Sequence, residues 1–187
     1  MWALVESNNV TQVYTRPKAL TIGNVNYPSN IFTMWSASEL EAIGIYEVVQ
    51  DSTNYKNPKY YNNTDQSFNF ASGAVTASYG TATAKPLNDS GSGDTLVKGL
   101  KTLHKEVINE QAGGILEPTD WMVIRAQEGG TAVPSSITTK RAAVRTKANA
   151  MCTQIDNAAD VDALAALYVY NNADPAVRPI GELPLVD

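Results

Sequence analysis

Few residues in this sequence have the type and spacing that chemistry requires. His104 is the single histidine and Cys152 the single cysteine. A nucleophile needs a base beside it, and neither residue has an evident partner along the chain. His104 therefore reads as a surface or boundary side chain. Ser36 with Glu39, and Ser38 with Glu41, each place an acid three residues after a serine. That spacing is explained by a capping box, in which the serine oxygen takes an orphan N–H and the glutamate reaches back. Gly91-Ser92-Gly93 lacks the Gly-Lys-Ser/Thr that follows in a phosphate-binding loop, and it is not a nucleophile elbow. There is no Cys/His cluster for zinc, no Asp-x-Asp-x-Asp-Gly loop for calcium, and no Gly-x-Gly-x-x-Gly. The sequence predicts no catalytic residues, no metal site and no cofactor, and so not an enzyme.

Binding is better provided for than catalysis. Trp121, Arg125, Arg141 and Arg145 are of the types that anchor protein interfaces, tryptophan as the buried plug and arginine as a forked donor. The competing reading makes Trp121 part of a core and the arginines solvated helix faces. Tyr55, Tyr60 and Tyr61 lie in a polar stretch, residues 51–67. Tyrosine packs well and keeps a polar tip, so this loop could touch a partner, or be an ordinary ordered loop.

Composition limits the partners. At 43% hydrophobic the chain suits a globular protein of one large or two small domains. No run of about 18 apolar residues exists, so no membrane span is expected. Met1-Trp2-Ala3-Leu4-Val5-Glu6 has neither the charge nor the long apolar stretch of a secretory leader. The net charge of -5 is spread unevenly: residues 95–155 carry +3, whereas residues 1–94 carry -3 and residues 156–187 carry -5. The middle is too weakly basic to argue for nucleic acid.

The elements that must position these residues follow from periodicity, and they predict an α+β protein. Residues 1–87 read as an antiparallel β-rich domain with one short helix. Trp2–Val5 and Val10–Tyr14 flank Asn8-Asn9, Ala19–Ile22 and Val25–Pro28 flank Gly23-Asn24, and the alternating runs Ser67–Phe70 and Val75–Tyr79 flank a glycine-bearing turn. The capped helix near Ser36–Ile43 ends at Gly44 and feeds a strand over 45–49. Residues 88–94 are small, polar and aperiodic, and read as a linker. From Thr95 the period becomes helical, and residues 95–171 read as a helical bundle or hairpin. Leu96, Leu100, Leu103 and Val107 form one stripe, with Gly113-Gly114 as the stop. A second helix is capped by Thr119 or Asp120 and turns Trp121 and Ile124 inward. A third has Ile137, Val144, Ala148, Met151 and Ile155 as its stripe, with Arg141 and Arg145 off it. A fourth runs from Asp160 to about Asn171 on Leu164, Leu167 and Tyr168. The first and third stripes also match coiled-coil seams, which would pack against another subunit if exposed. Residues 172–187 contain Pro175, Pro179 and Pro184 and read as an extended tail that docks or moves.

Two segments carry a family resemblance. Arg16-Pro17-Lys18-Ala19, Ile22 to Pro28, Ile31-Phe32 to Trp35, then Ser38-Glu39-Leu40-Glu41-Ala42-Ile43-Gly44-Ile45 resemble the N-terminal module of small tail-fibre-associated and tail-assembly proteins of bacteriophages, especially those of marine bacteria. Leu116-Glu117-Pro118-Thr119-Asp120-Trp121, Arg125, Glu128, Val133-Pro134 and Arg141 to Arg145 resemble the C-terminal segment of phage tail assembly chaperone-like proteins. The resemblance implies a virion tail or tail-fibre protein, made in the host cytoplasm, oligomeric in the particle and contacting fibre or hub and adaptor proteins. It leaves open a receptor- or glycan-binding module at the tail tip, or an assembly chaperone released before maturation.

Overall fold

A computed structural model describes residues 1–186 and divides them into two compact units, with the boundary between Thr83 and Ala84. The fold class is α+β, as the change of periodicity predicts.

In the first unit, β1 (Trp2–Glu6) and β2 (Asn9–Tyr14) form a hairpin with Trp2 opposite Tyr14. Ser7 and Asn8 at its tip have φ of 50° and 62°, the left-handed geometry that matches the twist of the flanking strands. A smaller hairpin pairs β3 (Leu20–Ile22) with β4 (Val25–Tyr27). The apolar run that follows is a single helical turn, α1 (Ile31–Met34), and α2 (Ala37–Ala42) comes next. Two helices thus stand where one was expected. The Ser36–Glu39 capping box forms in both directions, and this selects it over Ser38–Glu41. Gly44 then turns the chain with φ of 83°, and a Cβ there would lie 2.9 Å from the Val5 carbonyl oxygen. Only glycine allows β5 (Ile45–Asp51) to enter this close to β1.

The strands β7 (Gln66–Ala71) and β8 (Ala74–Tyr79) form the third hairpin, completing a sheet of order β2-β1-β5-β8-β7. The sheet is mixed, correcting the antiparallel expectation: β5 and β8 run parallel, with Val48 opposite Val75. The reason is the loop over residues 52–65. It carries β7 past the edge of β5, and the hairpin then folds β8 back into the gap. Edge strands β2 and β7 approach each other, so the sheet curls. Its two faces bury different clusters. Leu4, Tyr14, Phe32, Leu40 and Ile45 pack under α1 and α2, while Ala3, Val48, Val75 and Ala77 fill the other side. Short strands β6 (Tyr61–Asn62) and β9 (Thr83–Ala84) pair where this unit ends.

The second unit begins with an ordered arm rather than a linker. Across residues 88–94, Ser90 and Val97 exchange backbone hydrogen bonds of 3.0 and 2.8 Å. Asp89 accepts from the Gly99 N–H at 2.7 Å and the Thr102 hydroxyl at 2.9 Å. The polar composition here serves backbone satisfaction, not flexibility. The arm leads into α3 (Leu100–Leu116), then a 3₁₀ turn (Glu117–Thr119), α4 (Asp120–Gln127), α5 (Ser135–Asp156) and α6 (Val161–Ala166). The helices α3 and α5 pack antiparallel, since Lys101 and Lys105 reach Asp156 at the end of α5 while Arg141 near its start reaches Leu116.

The buried stripe of α3 is Leu100, His104, Ile108 and Ala112, which rotates it from the one the sequence suggests. Leu103 and Val107 face outward, and His104 is a core residue against Tyr168, with ring centroids 4.8 Å apart. The helix also runs through Gly113 and Gly114. Burial against α5 outweighs the cost of about 1 kcal/mol per helical glycine. On α5 the expected stripe of Val144, Ala148, Met151 and Ile155 is buried. The fourth helix is shorter than predicted, but Leu164 is fully buried and Asp160 caps it through the Ala163 N–H at 2.7 Å. The proline-containing tail docks on this unit: Ile180 is fully buried and donates its N–H to the Leu167 carbonyl at 3.1 Å. Among the described residues no helix is long and apolar enough to cross a membrane.

Candidate functional site

Four of the residues singled out by type meet around the 3₁₀ turn, α4 and the first half of α5. Their placement begins with an accounting problem. Where α3 ends, its last carbonyls lose their helical partners and must be satisfied otherwise. Arg141 does this. One of its Nη1 protons goes to the Leu116 carbonyl at 2.7 Å, Nη1 also donates to the Thr119 hydroxyl at 2.5 Å, and Nη2 donates to an Asp120 carboxylate oxygen at 2.6 Å. Thr119 passes its own proton to the same carbonyl at 2.9 Å. The guanidinium is thus a peg that joins the end of α3, the turn and the start of α4 to α5.

Arg141 is 8% exposed, so its expected role as a partner-contacting residue is corrected. It cannot leave three acceptors to serve another protein. Position supplies the reason: Arg141 lies three residues before Val144, in phase with the buried stripe rather than off it. That phase was legible. What was not legible is that Thr119 and Asp120 spend their side chains on Arg141, so that Thr119 occupies the cap position of α4 without capping it.

Trp121 corrects the sequence reading in the opposite sense. It is 53% exposed, and Ile124 one turn on is 59% exposed. No residue of α4 is buried. Arg125 lies over the Trp121 ring, its guanidinium carbon 4.8 Å from the centroid. Its Nε is buried yet donates to nothing among the described residues. The following turn holds the stem in place: the Gly130 N–H donates to the Arg125 carbonyl at 2.9 Å, and a Cβ on Gly130 would lie 2.7 Å from Arg125 Cγ. The stacked pair presents an apolar face with one positive charge.

Arg145 lines a hollow of about 250 Å³ with Val123, Val133, Thr138 and Arg141. It is exposed, and among the described residues no hydrogen bond or ion pair engages its side chain. Of the three arginines, one is spent on the fold and two remain presented. Further apolar surface lies on α3 and the arm before it, where Leu96, Val97, Leu103 and Val107 are exposed.

The tyrosine loop divides in the same way. Tyr60 is 5% exposed, and burial pushes its hydroxyl pKa up. It is a packing residue of its loop, which corrects its expected role in contact. The Asn63 side chain grips both the N–H and the carbonyl of Lys56, at 2.8 and 2.7 Å, so the loop is ordered. Lys56 sits over the Tyr61 ring at 4.7 Å, and Tyr55, still exposed, packs on Tyr79 with centroids 4.9 Å apart. The structure does not gather the three tyrosines into one surface.

Comparison of the chain with protein-family models, with curated proteins and with solved structures finds no match in any of the three.

Proposed function

We propose that this chain is a structural or assembly component of a bacteriophage tail, working by protein–protein contact with α4 as its contacting element. The observation that carries the reading is the exposed Trp121–Ile124 face with Arg125 stacked across it. Tryptophan and arginine are the residues most often found at the energetic centre of interfaces. Because Arg125 already rests on the ring, less side-chain freedom is lost when a partner covers the pair. Arg145 adds a positive charge able to meet a carboxylate on the partner.

The tail assignment rests on the two sequence resemblances, and the second of them covers this region. Leu116, Thr119 and Asp120, which belong to the resembling Leu-Glu-Pro-Thr-Asp-Trp run, are the residues that engage Arg141. In this reading the shared residues set up the peg, and the peg sets up the presented tryptophan. The partner is another tail protein, a fibre or a hub and adaptor subunit, met after synthesis in the host cytoplasm.

Quantitative mass spectrometry of intact particles, combined with co-purification of a tail-fibre fragment, tests this. A fixed stoichiometry in particles, with fibre capture lost on Trp121→Ala, is the expected result. A chain absent from particles that still captures fibre would make it a released chaperone. Absence from particles together with no capture of any tail protein would overturn the proposal.

A further inference from the structure

The first unit holds a hollow unrelated to the helical face. It has a volume of about 260 Å³ and is lined by Trp2, Phe32, Trp35, Leu40, Ile45 and Glu47, among others. Three aromatic residues and a carboxylate are therefore among the lining of an open hollow able to admit a small organic group. Each part is positioned by an element already described. Trp2 and Glu47 are opposite each other in the β1–β5 ladder, so their side chains stand on the same face of the sheet as neighbours. Phe32 comes from α1 and meets the Trp2 ring at 4.9 Å, tilted by 49°. Trp35 follows α1 and is braced edge-on by Tyr27, 5.9 Å away at 87°.

The chemistry of this lining is selective. The faces of aromatic rings attract cations, and indole does so most strongly. Glu47 is exposed, and among the described residues its carboxylate takes part in no hydrogen bond or ion pair. Its charge is not spent on the fold, and no lysine or arginine lines the hollow. A neutral apolar guest would gain burial here but nothing from Glu47. An ordinary ammonium would have to shed tightly held water to enter. A methylated ammonium has an apolar shell, a diffuse charge and weak hydration, and so suits both the rings and the acid.

From this we infer that the Trp2–Phe32–Trp35–Glu47 hollow is a recognition site for a methylated ammonium group. The group could belong to a free molecule such as choline or to a methylated lysine of a protein. The hollow belongs to the first unit, and the inference does not rest on the proposed role of α4.

The test titrates the full chain with choline and with 3,3-dimethylbutan-1-ol, which has the same shape without the charge, following the indole N–H resonances by NMR. Choline should shift the Trp2 and Trp35 signals and leave Trp121 unmoved, while the alcohol binds at least tenfold more weakly. Glu47→Gln, at an exposed position that leaves the fold intact, should weaken choline about tenfold. Trp35→Phe should retain part of the binding that Trp35→Ala loses. A peptide carrying trimethyllysine, compared with the same peptide carrying lysine, then assigns the source: tighter binding than choline points to a protein ligand, weaker binding to a free one. Equal shifts by choline and the alcohol, no shift by either, or full binding by Glu47→Gln would each overturn the inference.

Discussion

Two arginines on neighbouring helices show how differently one residue type can be used. Arg141 on α5 is buried, and it donates to a helix-end carbonyl, a hydroxyl and a carboxylate. Arg125 on α4 is half-buried, lies on an exposed tryptophan and makes no ion pair among the described residues. The difference comes from the helices that carry them. The helix α5 spans Ser135–Asp156 and buries a continuous stripe, so a residue in phase with Val144 is drawn into the interior. The helix α4 spans only Asp120–Gln127 and buries no residue completely, so Trp121 and Ile124 remain available. An exposed apolar helix of this length has little stability alone. It is held by the Arg141 peg at its start and the Gly130 turn at its end.

The sharpest way to break that comparison is to truncate an isoleucine on each helix. Ile155→Ala removes a fully buried side chain and should cost about 3 kcal/mol in urea unfolding, from lost burial and the cavity left behind. Ile124→Ala should change stability by less than about 0.5 kcal/mol. Equal costs would mean that the outer face of α4 is covered, and the distinction between scaffold and presented face would collapse. Next in size is the peg. Arg141→Met keeps much of the volume and removes all the donors, leaving the Leu116 carbonyl with only the Thr119 hydroxyl and the Asp120 carboxylate without its ion pair. It should cost about 2 kcal/mol. Arg125→Met, made as its control, should cost far less, because no acceptor is orphaned.

What the sequence made legible follows from how local each signal is. The hairpins over Trp2–Tyr14 and Gln66–Tyr79 could be read because turn residues and alternation are local. The Ser36–Glu39 cap is likewise a spacing of three. The stripe of α5 was legible because one phase is apolar throughout. On α3 two phases compete: Leu103 and Val107 look as apolar as Leu100 and Ile108, and only the position of α5 decides between them. The same holds for Trp121, which any hydrophobicity argument places inside. The parallel pairing of β5 with β8 depends on where a long loop sets down its hairpin, and no periodicity records that. The aromatic hollow joins residues from four elements and has no linear motif at all. The Arg141 peg was half legible, in its phase but not in its partners.

Trp121 tests the other half of the contrast, the half concerned with binding. Trp121→Ala should alter the unfolding midpoint little, yet weaken association with the tail partner by about 2 kcal/mol, roughly thirtyfold. Isothermal titration against a fibre fragment measures this. A loss of stability without a loss of affinity would reassign the tryptophan to the scaffold, beside Arg141.

The smallest effect concerns how α3 is started, and here the contrast with α4 recurs in acid. The N-cap position of α3 is Gly99, which has no side chain to satisfy the first N–H groups. The preceding arm does it: the Leu100 and Lys101 N–H groups donate to the Pro86 and Leu87 carbonyls at 2.9 and 3.0 Å, and Asp89 accepts from the Gly99 N–H itself. The Gly99 N–H, and after it the Thr102 hydroxyl, hold the Asp89 carboxyl below the ordinary aspartate range. A folded pKa that is depressed stabilises the native state above the unfolded value, around pH 4, and that contribution fades as pH falls through the lower folded value. The carboxylate is exposed, so salt screens the effect. The Gly99 amide resonance should therefore titrate at a pH below that of an ordinary aspartate, and Asp89→Asn should abolish the inflection. The amides that open α4 should show no such dependence on Asp89. An inflection at the ordinary aspartate value would mean that the arm frays in solution, and residues 88–94 would then be the flexible linker that their composition suggested.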